Sequence, residues 1–220
     1  MLLDLHNHTR FSPDSRVAPA ELVSMARKIG LGGIAITDHN AVGGIREAEA
    51  AAGPDFLVIP SIEISTIAGH VLGYGVREVV PRSLSVSETV ERIVALGGVP
   101  VAAHPYRFWS GLGEAPLDEA PFPAYETCNG RTLKRGNLRA RARARERKLG
   151  ETGGSDSHFL DELGKALTTV DDGALRTDDV LQRLAQGKTS AQGRDRGASA
   201  TVRYVSKAVG EWIVRGMRRI

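Results

Sequence analysis

Cysteine is almost absent from the 220-residue chain, which has the single thiol Cys128. One cysteine excludes an internal disulfide and any zinc site built from several cysteines, and it fits a reducing, cytoplasmic location. We expect Cys128 itself to be a small buried residue. Any metal site in this chain must therefore use nitrogen and oxygen ligands.

Long apolar runs are also lacking. None approaches the roughly 20 residues that a membrane-spanning helix needs, and the first residues, MLLDLH, lack the basic and apolar regions of a secretory signal. Hydrophobic residues make up 41% and charged residues 25% of the chain, which is typical of globular proteins. We therefore expect a soluble protein with no membrane span, whose length suits one domain.

Charge is nearly balanced but unevenly distributed. The net charge is +3, yet basic residues crowd the segment 131–148 and recur in the segment 203–219. Such clusters can attract polyanions, and they can equally form a solvated helix face. The helix predicted over residues 133–149 is therefore a possible nucleic-acid contact, with the solvated face as the alternative.

Short apolar runs alternate with amphipathic stretches along residues 1–187. The spacing of Leu22, Met25, Ala26 and Ile29 predicts one helix, and a possible capping box from Ser85 to Glu88 predicts the start of another. Further helices are expected near 45–52, 133–149 and 178–185, while the segment 108–123 is expected to be a surface loop. Repeated strand and helix units predict an α/β fold with a parallel sheet and outer helices.

The last residues, 188–220, form a second segment. They begin with a polar, glycine-containing linker, and Val202, Val205, Val209, Trp212 and Ile213 then mark one face of a basic amphipathic helix. We expect this helix to pack on the domain or on a partner, with membrane-surface binding as a weaker alternative. The sequence leaves the oligomeric state open.

Histidines and acidic residues lie where strands are expected to end. His6 and His8 are two residues apart, so a strand sends both side chains to one face, and Asp156 and His158 repeat this spacing. Asp14 follows in the loop after the first strand, and four further residues of these types follow or lie in other predicted strands: His39, Glu63, His70 and His104. In a parallel α/β barrel the carboxyl ends of the strands converge on one face, so all nine could meet.

These positions include all six histidines of the chain. Imidazole nitrogens together with carboxylate oxygens form a ligand set for manganese, zinc or iron. Clustered carboxylates repel one another unless a cation lies between them. The pattern therefore predicts a metal site.

Five motifs identify the resemblance that the chain carries. They are Asp4-Leu5-His6-Asn7-His8, Thr37-Asp38-His39-Asn40, Glu63-Ile64-Ser65, Ala103-His104-Pro105 and Gly154-Ser155-Asp156-Ser157-His158. In this order they resemble the PHP (polymerase and histidinol phosphatase) family, in particular its stand-alone phosphoesterases. The resemblance implies a distorted (β/α)7 TIM-like barrel over residues 1–187 that holds two or three divalent metal ions.

The same resemblance implies a division of the ligands. His6, His8, Glu63 and Asp156 would hold one metal, and Glu63 would bridge to a second metal held by His70 and His104. A third metal would be held by Asp14, His39 and His158. The catalytic residues would be His6, His8, Glu63, His104, Asp156 and His158, and the reaction would be hydrolysis of a phosphate ester by a metal-activated water.

The leading substrate class is a nucleotide or a short oligonucleotide, because the basic helix offers an electrostatic path for polyanions. A small-molecule phosphatase of the histidinol-phosphatase type is the alternative within the same chemistry, and a non-catalytic metal-binding regulatory module is the alternative outside it. Among the neighbouring residues, Asp38 either orients a ligand or caps a turn, and Arg107 either grips a phosphate or lies on the surface. Asn7 is expected to point away from the ligands.

Overall fold

The computed structural model describes residues 1–171 and 176–193. Its strands form one mixed sheet with the order β7-β6-β5-β4-β3-β2-β1-β8-β9. The strands are β1 (Leu2–Asp4), β2 (Gly33–Ile36), β3 (Leu57–Ser65), β4 (His70–Tyr74), β5 (Val99–Ala102), β6 (Ala124–Asn129), β7 (Gly150–Gly154), β8 (Ala166–Thr169) and β9 (Ser190–Gly193).

The sequence had predicted a parallel sheet, but the observed sheet is mixed. β1, β2 and β3 are parallel to one another, as are β5, β6 and β7, but β4 runs antiparallel to both β3 and β5. The reason is the short connection between Ser65 and His70, because a parallel crossover needs a dozen or more residues. The reversal brings the amino end of β4, with His70, to the edge where the parallel strands end.

The sheet curls into a nearly closed barrel. Asn7 and Ser157 form a parallel bridge between the chain segments that follow β1 and β7, and His8 N donates a hydrogen bond to Ser157 O at 2.9 Å. On the other side of β1, β8 pairs with β1 and β9 pairs with β8, both antiparallel, and Gly153 N of β7 donates to Thr168 Oγ1 of β8 at 2.9 Å. The distorted TIM-like barrel predicted from the sequence is confirmed.

Helices and one 3-10 turn, Leu160–Glu162, connect the strands. The helices are α1 (Pro19–Lys28), α2 (Gly43–Ala52), α3 (Val86–Ala95), α4 (Glu114–Glu119), α5 (Lys134–Glu146) and α6 (Thr177–Ala185). The predicted capping box is present, because Ser85 Oγ accepts from Glu88 N at 3.2 Å and Glu88 Oε2 accepts from Ser85 N at 3.0 Å. No helix among the described residues combines the length and the apolar character that crossing a membrane requires.

Alternating strand residues pack on opposite faces of the sheet. Ile34 and Ile36 of β2 join the apolar cluster that includes residues of α1 and α2, whereas Ala35 joins the cluster that contains Leu3 and Leu5. A third cluster lies between β3, β4 and the helices α3 and α4. This two-residue period fixes which side chains of each strand reach the core.

Two predictions about the loops are corrected. The expected surface loop at 108–123 contains α4, whose Leu117 is fully buried. Its Pro116 is tolerated because it lies in the first turn, where a backbone N–H has no helical partner. The expected linker is the second correction, because its residues Ser190–Gly193 form β9. An edge strand gains its pairing from the backbone, so polar side chains do not prevent it. The remaining linker and the predicted C-terminal helix lie outside the described residues.

The basic helix α5 buries alanine and not arginine. Ala140 and Ala144, one turn apart, are 1% and 0% exposed, and their small side chains let the helix lie close to the sheet. Arg139, Arg143 and Arg147 are spaced four residues apart and form one ridge of this helix, for which a nucleic-acid contact and a solvated face were the two alternatives. Its charges are instead paired within the chain, since carboxylates of α4 lie against it.

Candidate metal centre

The predicted site residues meet at the edge where β1, β2, β5 and β7 end. Each follows one of these strands within a few residues, except Glu63, which lies in β3, His70, which begins β4, and Asp14, which comes from the long loop after β1. In four overlapping groups the candidate ligand atoms lie within 4.8 Å of one another: His8, Asp14, His39 and His158; His6, His104 and Asp156; His6, His8 and Glu63; and His39, Glu63 and His70. All nine predicted residues are therefore brought together.

Glu63 is the centre of the cluster. Its Oε2 lies 3.1 Å from His6 Nε2, 3.2 Å from His8 Nε2 and 3.3 Å from His39 Nδ1. Its Oε1 lies 2.8 Å from His70 Nδ1 and 2.9 Å from His104 Nε2. One carboxylate thus faces five imidazoles, with each oxygen turned toward a different set.

Two of these nitrogens fit a bound cation better than a hydrogen-bond network. His8 Nε2 and His39 Nδ1 are buried and make no hydrogen bond, although a carboxylate oxygen lies nearby. Buried polar atoms are normally paired, so each such exception requires an explanation. Imidazole nitrogens and carboxylate oxygens that converge on the same points are the donors that manganese, zinc and iron accept.

Asp14 joins the cluster from the loop that follows β1. Its Oδ2 lies 2.7 Å from His158 Nε2 and 3.7 Å from His39 Nε2. Ser12 Oγ donates to Asp14 Oδ1 at 2.8 Å and so orients the carboxylate. The loop thereby places an acidic group between histidines that follow two different strands.

Two arginines reach into the site beside Asp156. Arg107 donates through Nη2 to Asp156 Oδ2 and, at 2.8 Å, to Asn129 Oδ1. Arg131 Nη1 lies 2.5 Å from His158 Nδ1 and 3.8 Å from Asp156 Oδ1. Of the two interpretations of Arg107, the surface position is therefore wrong. Arg131 had been noted only as part of the basic cluster, and its place after β6 is the signal that could have separated it.

Glu126 is the residue of the site that the sequence analysis missed. It is 1% exposed on β6, where its Oε1 lies 2.9 Å from His6 Nδ1 and its Oε2 accepts from His104 N at 2.7 Å. A carboxylate on the far nitrogen of a ligand histidine fixes the ring and its tautomer. The available signal was an acidic residue in a strand otherwise expected to be buried.

Other polar residues next to the ligands hold the backbone. Asp38 accepts from Thr9 N at 2.6 Å and from Thr9 Oγ1 at 2.7 Å, which supports the turn-capping alternative for this residue. Asn7 points away from the ligands, as expected, and donates to Asp4 O at 2.9 Å. Asp4, fully buried, accepts from Ser155 N at 2.9 Å. These bonds join the segments after β1, β2 and β7.

Burial and charge divide the histidines into two kinds. Burial disfavours the imidazolium and lowers the pKa of His39 to about 3 and that of His104 to about 4, so both rings are neutral at pH 7. Burial also acts to lower the pKa of His8, but attraction to the carboxylates of Asp156 and Glu63, which lie 3.4 Å and 3.2 Å from Nε2, outweighs it and raises the pKa to about 9. At pH 7 His8 therefore carries a proton, which a metal would have to displace in order to bind this ring.

The carboxylates stay ionised despite their burial. Burial acts to raise the pKa of Glu63, but at the low pH where this carboxyl titrates the protonated forms of neighbouring histidines, His39 and His6 first, hold its pKa well below the ordinary value. Arg107 and His6 do the same for the pKa of Asp156. A cluster of buried anions beside histidines is the charge distribution that divalent cations complete.

Sequence comparisons agree with this arrangement. The model of the PHP domain matches residues 4–95, and the model described as PHP-associated matches residues 134–189. An uncharacterized protein of Methanocaldococcus jannaschii is 36% identical over 117 residues, which cover 48% of this chain and 68% of that protein. The 5'-3' exoribonuclease Rnm of Salmonella typhimurium is 28% identical over 202 residues, which cover 86% of this chain but 56% of the exoribonuclease.

Similarity of fold extends over almost the whole chain. A two-domain protein of Bacteroides vulgatus, described as containing a predicted PHP-like metal-dependent phosphoesterase, superimposes with a TM-score of 0.72 at 19% identity. The match covers 92% of this chain and 68% of that protein. With both family models matched and the histidines and carboxylates of all five motifs gathered at one end of the barrel, the chain belongs to the PHP family.

Proposed function

We propose that the protein is a metal-dependent phosphoesterase that hydrolyses phosphate esters of nucleotides or short oligonucleotides. The observation that carries this proposal is the position of Glu63, whose two carboxylate oxygens face different sets of histidines. A bridging carboxylate of this kind suits a site with more than one metal ion. Membership of the PHP family supports the same reaction class.

The residues at the site suit two or three divalent ions. His6, His8, Glu63 and Asp156 would hold one, Glu63 with His70 and His104 a second, and Asp14 with His39 and His158 a third. Manganese, zinc and iron all suit this mixture of nitrogen and oxygen donors. Bound divalent ions supply Lewis acidity toward phosphoryl oxygens and make water a stronger nucleophile at neutral pH.

Arg107 and Arg131 would bind the phosphate. Their side chains are 15% and 11% exposed, so both are largely screened from water while pointing into the site. A guanidinium can hold two oxygens of a phosphate at once, as it does those of a carboxylate. Arg107 already contacts Asp156, so a phosphate at the centre would compete for the same donor and become oriented by it.

Nucleotides are the favoured substrates. The exoribonuclease Rnm is a relative over 86% of this chain, and its name describes an enzyme that acts on RNA. The basic helix contributes to this preference at its beginning, because Lys134 and Arg135 are exposed and follow Arg131 closely. Arg139, Arg143 and Arg147 contribute less, since α4 neutralises them.

The test is a substrate screen with defined metals. The chain is freed of metal and reconstituted separately with manganese, zinc or iron, and turnover is measured on an aryl phosphate, on AMP and on a 5'-phosphorylated RNA dinucleotide. We expect more than one metal equivalent per chain and turnover that a chelator abolishes. Folded protein that binds less than one equivalent and turns over none of these compounds would contradict the proposal.

A further inference from the structure

Two exposed aromatic side chains lie in the loop that follows His104 and belong to none of the groups of candidate ligands. Phe108 and Trp109 are 84% and 81% exposed, and their rings meet edge to face with centroids 4.7 Å apart. Exposure of two adjacent large aromatic rings forgoes the free energy that burial of each would contribute. Exposed apolar patches beside a site are typical of ligand contacts.

The backbone beneath the two rings is held in place. Gly111 N donates to Arg107 O at 3.0 Å, which closes the turn that carries the rings, and Arg107 N donates to His104 O at 2.9 Å. The carbonyl of Ser110, the residue after Trp109, accepts from His70 N at 3.2 Å. A Cβ on Gly111 would lie 2.6 Å from backbone atoms of Arg107, so the turn is closely packed. The rings therefore extend from a turn that is anchored on two histidines of the site.

The two aromatic residues directly follow a cationic residue of the site in the sequence. The guanidinium of Arg107 contacts Asp156. Phe108 is the next residue, and consecutive Cα atoms are about 3.8 Å apart. A phosphate-binding cation and an aromatic surface thus occupy consecutive positions. A nucleotide carries the complementary pair of groups, an anionic phosphate and a flat aromatic base.

Exposed apolar side chains also lie in other loops at this end of the barrel, whereas the site itself is charged. Phe11, Ile67 and Leu133 are 40%, 72% and 54% exposed, and they lie in the loops after β1, β3 and β6. The side chains within the site are histidine, carboxylate and arginine. A ligand that is charged at one end and apolar at the other fits this distribution better than a sugar phosphate does.

We propose that Phe108 and Trp109 stack on the nucleobase of the substrate. This inference rests on the proposed phosphoesterase function and narrows its substrate class to phosphate esters that carry an accessible base, in preference to sugar phosphates that lack one. Stacking on aromatic side chains accepts every base, because each base has a π-face. The pair therefore confers selectivity for nucleotides without selecting a sequence.

The test compares two substrates that differ only by the base, AMP and ribose 5-phosphate. With the metal-reconstituted full chain, we expect Trp109→Ala and Phe108→Ala to raise KM for AMP by about tenfold or more, the range of base stacking, and to leave ribose 5-phosphate unaffected. Trp109→Phe keeps a ring and restores most of the loss. Val94→Ala is the matched control, because Val94 is 57% exposed on α3, away from the site.

A binding measurement separates the stacking from the reaction. The chain has two tryptophans, so Trp212→Phe leaves Trp109 as the single tryptophan reporter. We expect AMP to quench Trp109 fluorescence and ribose 5-phosphate to leave it unchanged. A 5'-phosphorylated dinucleotide then distinguishes a mononucleotide from the end of an oligonucleotide as the preferred substrate. If Trp109→Ala raises KM more for the dinucleotide than for AMP, the rings bind the end of a strand.

The two proposals fail in different ways. Quenching by AMP in a protein that hydrolyses no phosphate ester leaves the stacking intact and removes the phosphoesterase function. Hydrolysis of AMP and ribose 5-phosphate that Trp109→Ala reduces equally, or does not reduce at all, overturns the stacking and leaves the function intact. Absence of quenching in the metal-loaded protein also overturns the stacking.

Discussion

Glu126 holds His6 and His104 at once, with Oε1 2.9 Å from the His6 ring and Oε2 accepting from the His104 backbone. The bond to His6 Nδ1 turns Nε2 of the same ring toward Glu63. We predict that Glu126→Gln lowers metal affinity about 10- to 100-fold, because an amide can replace only one of the two acceptor oxygens. Competition with a chromogenic chelator measures this affinity, and circular dichroism checks the fold.

Glu151→Gln is the matched control for Glu126. Glu151 lies on the neighbouring strand β7, but its carboxylate pairs with Arg141 and Arg145 of α5, away from the metal centre. We expect metal affinity to stay unchanged in this variant. An equal loss of affinity in both variants would mean that Glu126 acts only through general stability.

Glu63→Gln tests the centre of the site. The change removes one anionic oxygen from between five imidazoles, and we predict a metal content below one equivalent and turnover on an aryl phosphate reduced roughly 100-fold or more, since both ligation and charge are lost. Metal analysis after reconstitution and initial rates measure the two effects. Unchanged turnover with full metal content would remove Glu63 from its assigned role.

Removal of the acidic residues that face the arginine ridge of α5 is predicted to strengthen oligonucleotide binding. Arg139, Arg143 and Arg147 pair with Glu114 and Asp118 of α4. Changing Glu114 to Gln and Asp118 to Asn removes these partners, although Arg143 keeps its ion pair with Glu146, so we predict tighter oligonucleotide binding with a steeper dependence on salt. The melting temperature is expected to fall only slightly, because exposed ion pairs contribute little.

The converse change is the control for the ridge. Replacing the three arginines by Gln is expected to leave KM for an oligonucleotide nearly unchanged, because their charges are already paired. Arg131→Gln is expected to raise it. A large increase in KM in the triple variant, without loss of stability, would show that the ridge binds nucleic acid directly.

Metal-free and metal-loaded protein are expected to respond to pH in opposite directions. The pKa of His8 in the folded chain is about 9, above the ordinary 6.5, so protonated His8 stabilises the metal-free fold fully below pH 6.5. That contribution is lost as pH rises through 9. Metal binding requires the neutral ring, so affinity increases over the same range.

His8→Gln isolates this contribution. We predict that the difference in melting temperature between the chelated parent and this variant shrinks from pH 6.5 to 9, while the parent's metal affinity rises. Thermal melts and chelator titrations at each pH measure the two trends. A difference in melting temperature that is constant across this range would contradict the assignment of the proton to His8.

The sequence predicted well which side chains meet at one end of the barrel, because all six histidines were expected at or near the ends of strands. It did not predict the direction of β4, since the apolar pattern of a buried strand is the same in either direction, and only the short link from Ser65 to His70 pointed to a hairpin. Glu126 escaped notice because it stands alone in its strand, with no neighbouring histidine to form a motif. These features depend on contacts between distant segments.

The ridge on α5 shows a second limit of sequence reasoning. The spacing of Arg139, Arg143 and Arg147 correctly placed them on one helix face, but spacing carries no information about what lies opposite. Glu114 and Asp118 are four residues apart on α4, which lies in the segment that the sequence predicted to be a surface loop. The positive charges of the ridge, which the sequence suggested could bind a polyanion, are therefore paired with carboxylates of α4.

The bridge between Asn7 and Ser157, whose side chains also bond across 150 residues of chain, has a consequence for biosynthesis. Ligands on both sides of this closure belong to the same cluster, so a nascent chain that ends before Asp156 and His158 holds only part of the donor set. The complete site can form only after nearly all of the barrel has left the ribosome. A fragment released by premature termination would lack Asp156 and His158 and would therefore offer an incomplete set of donors.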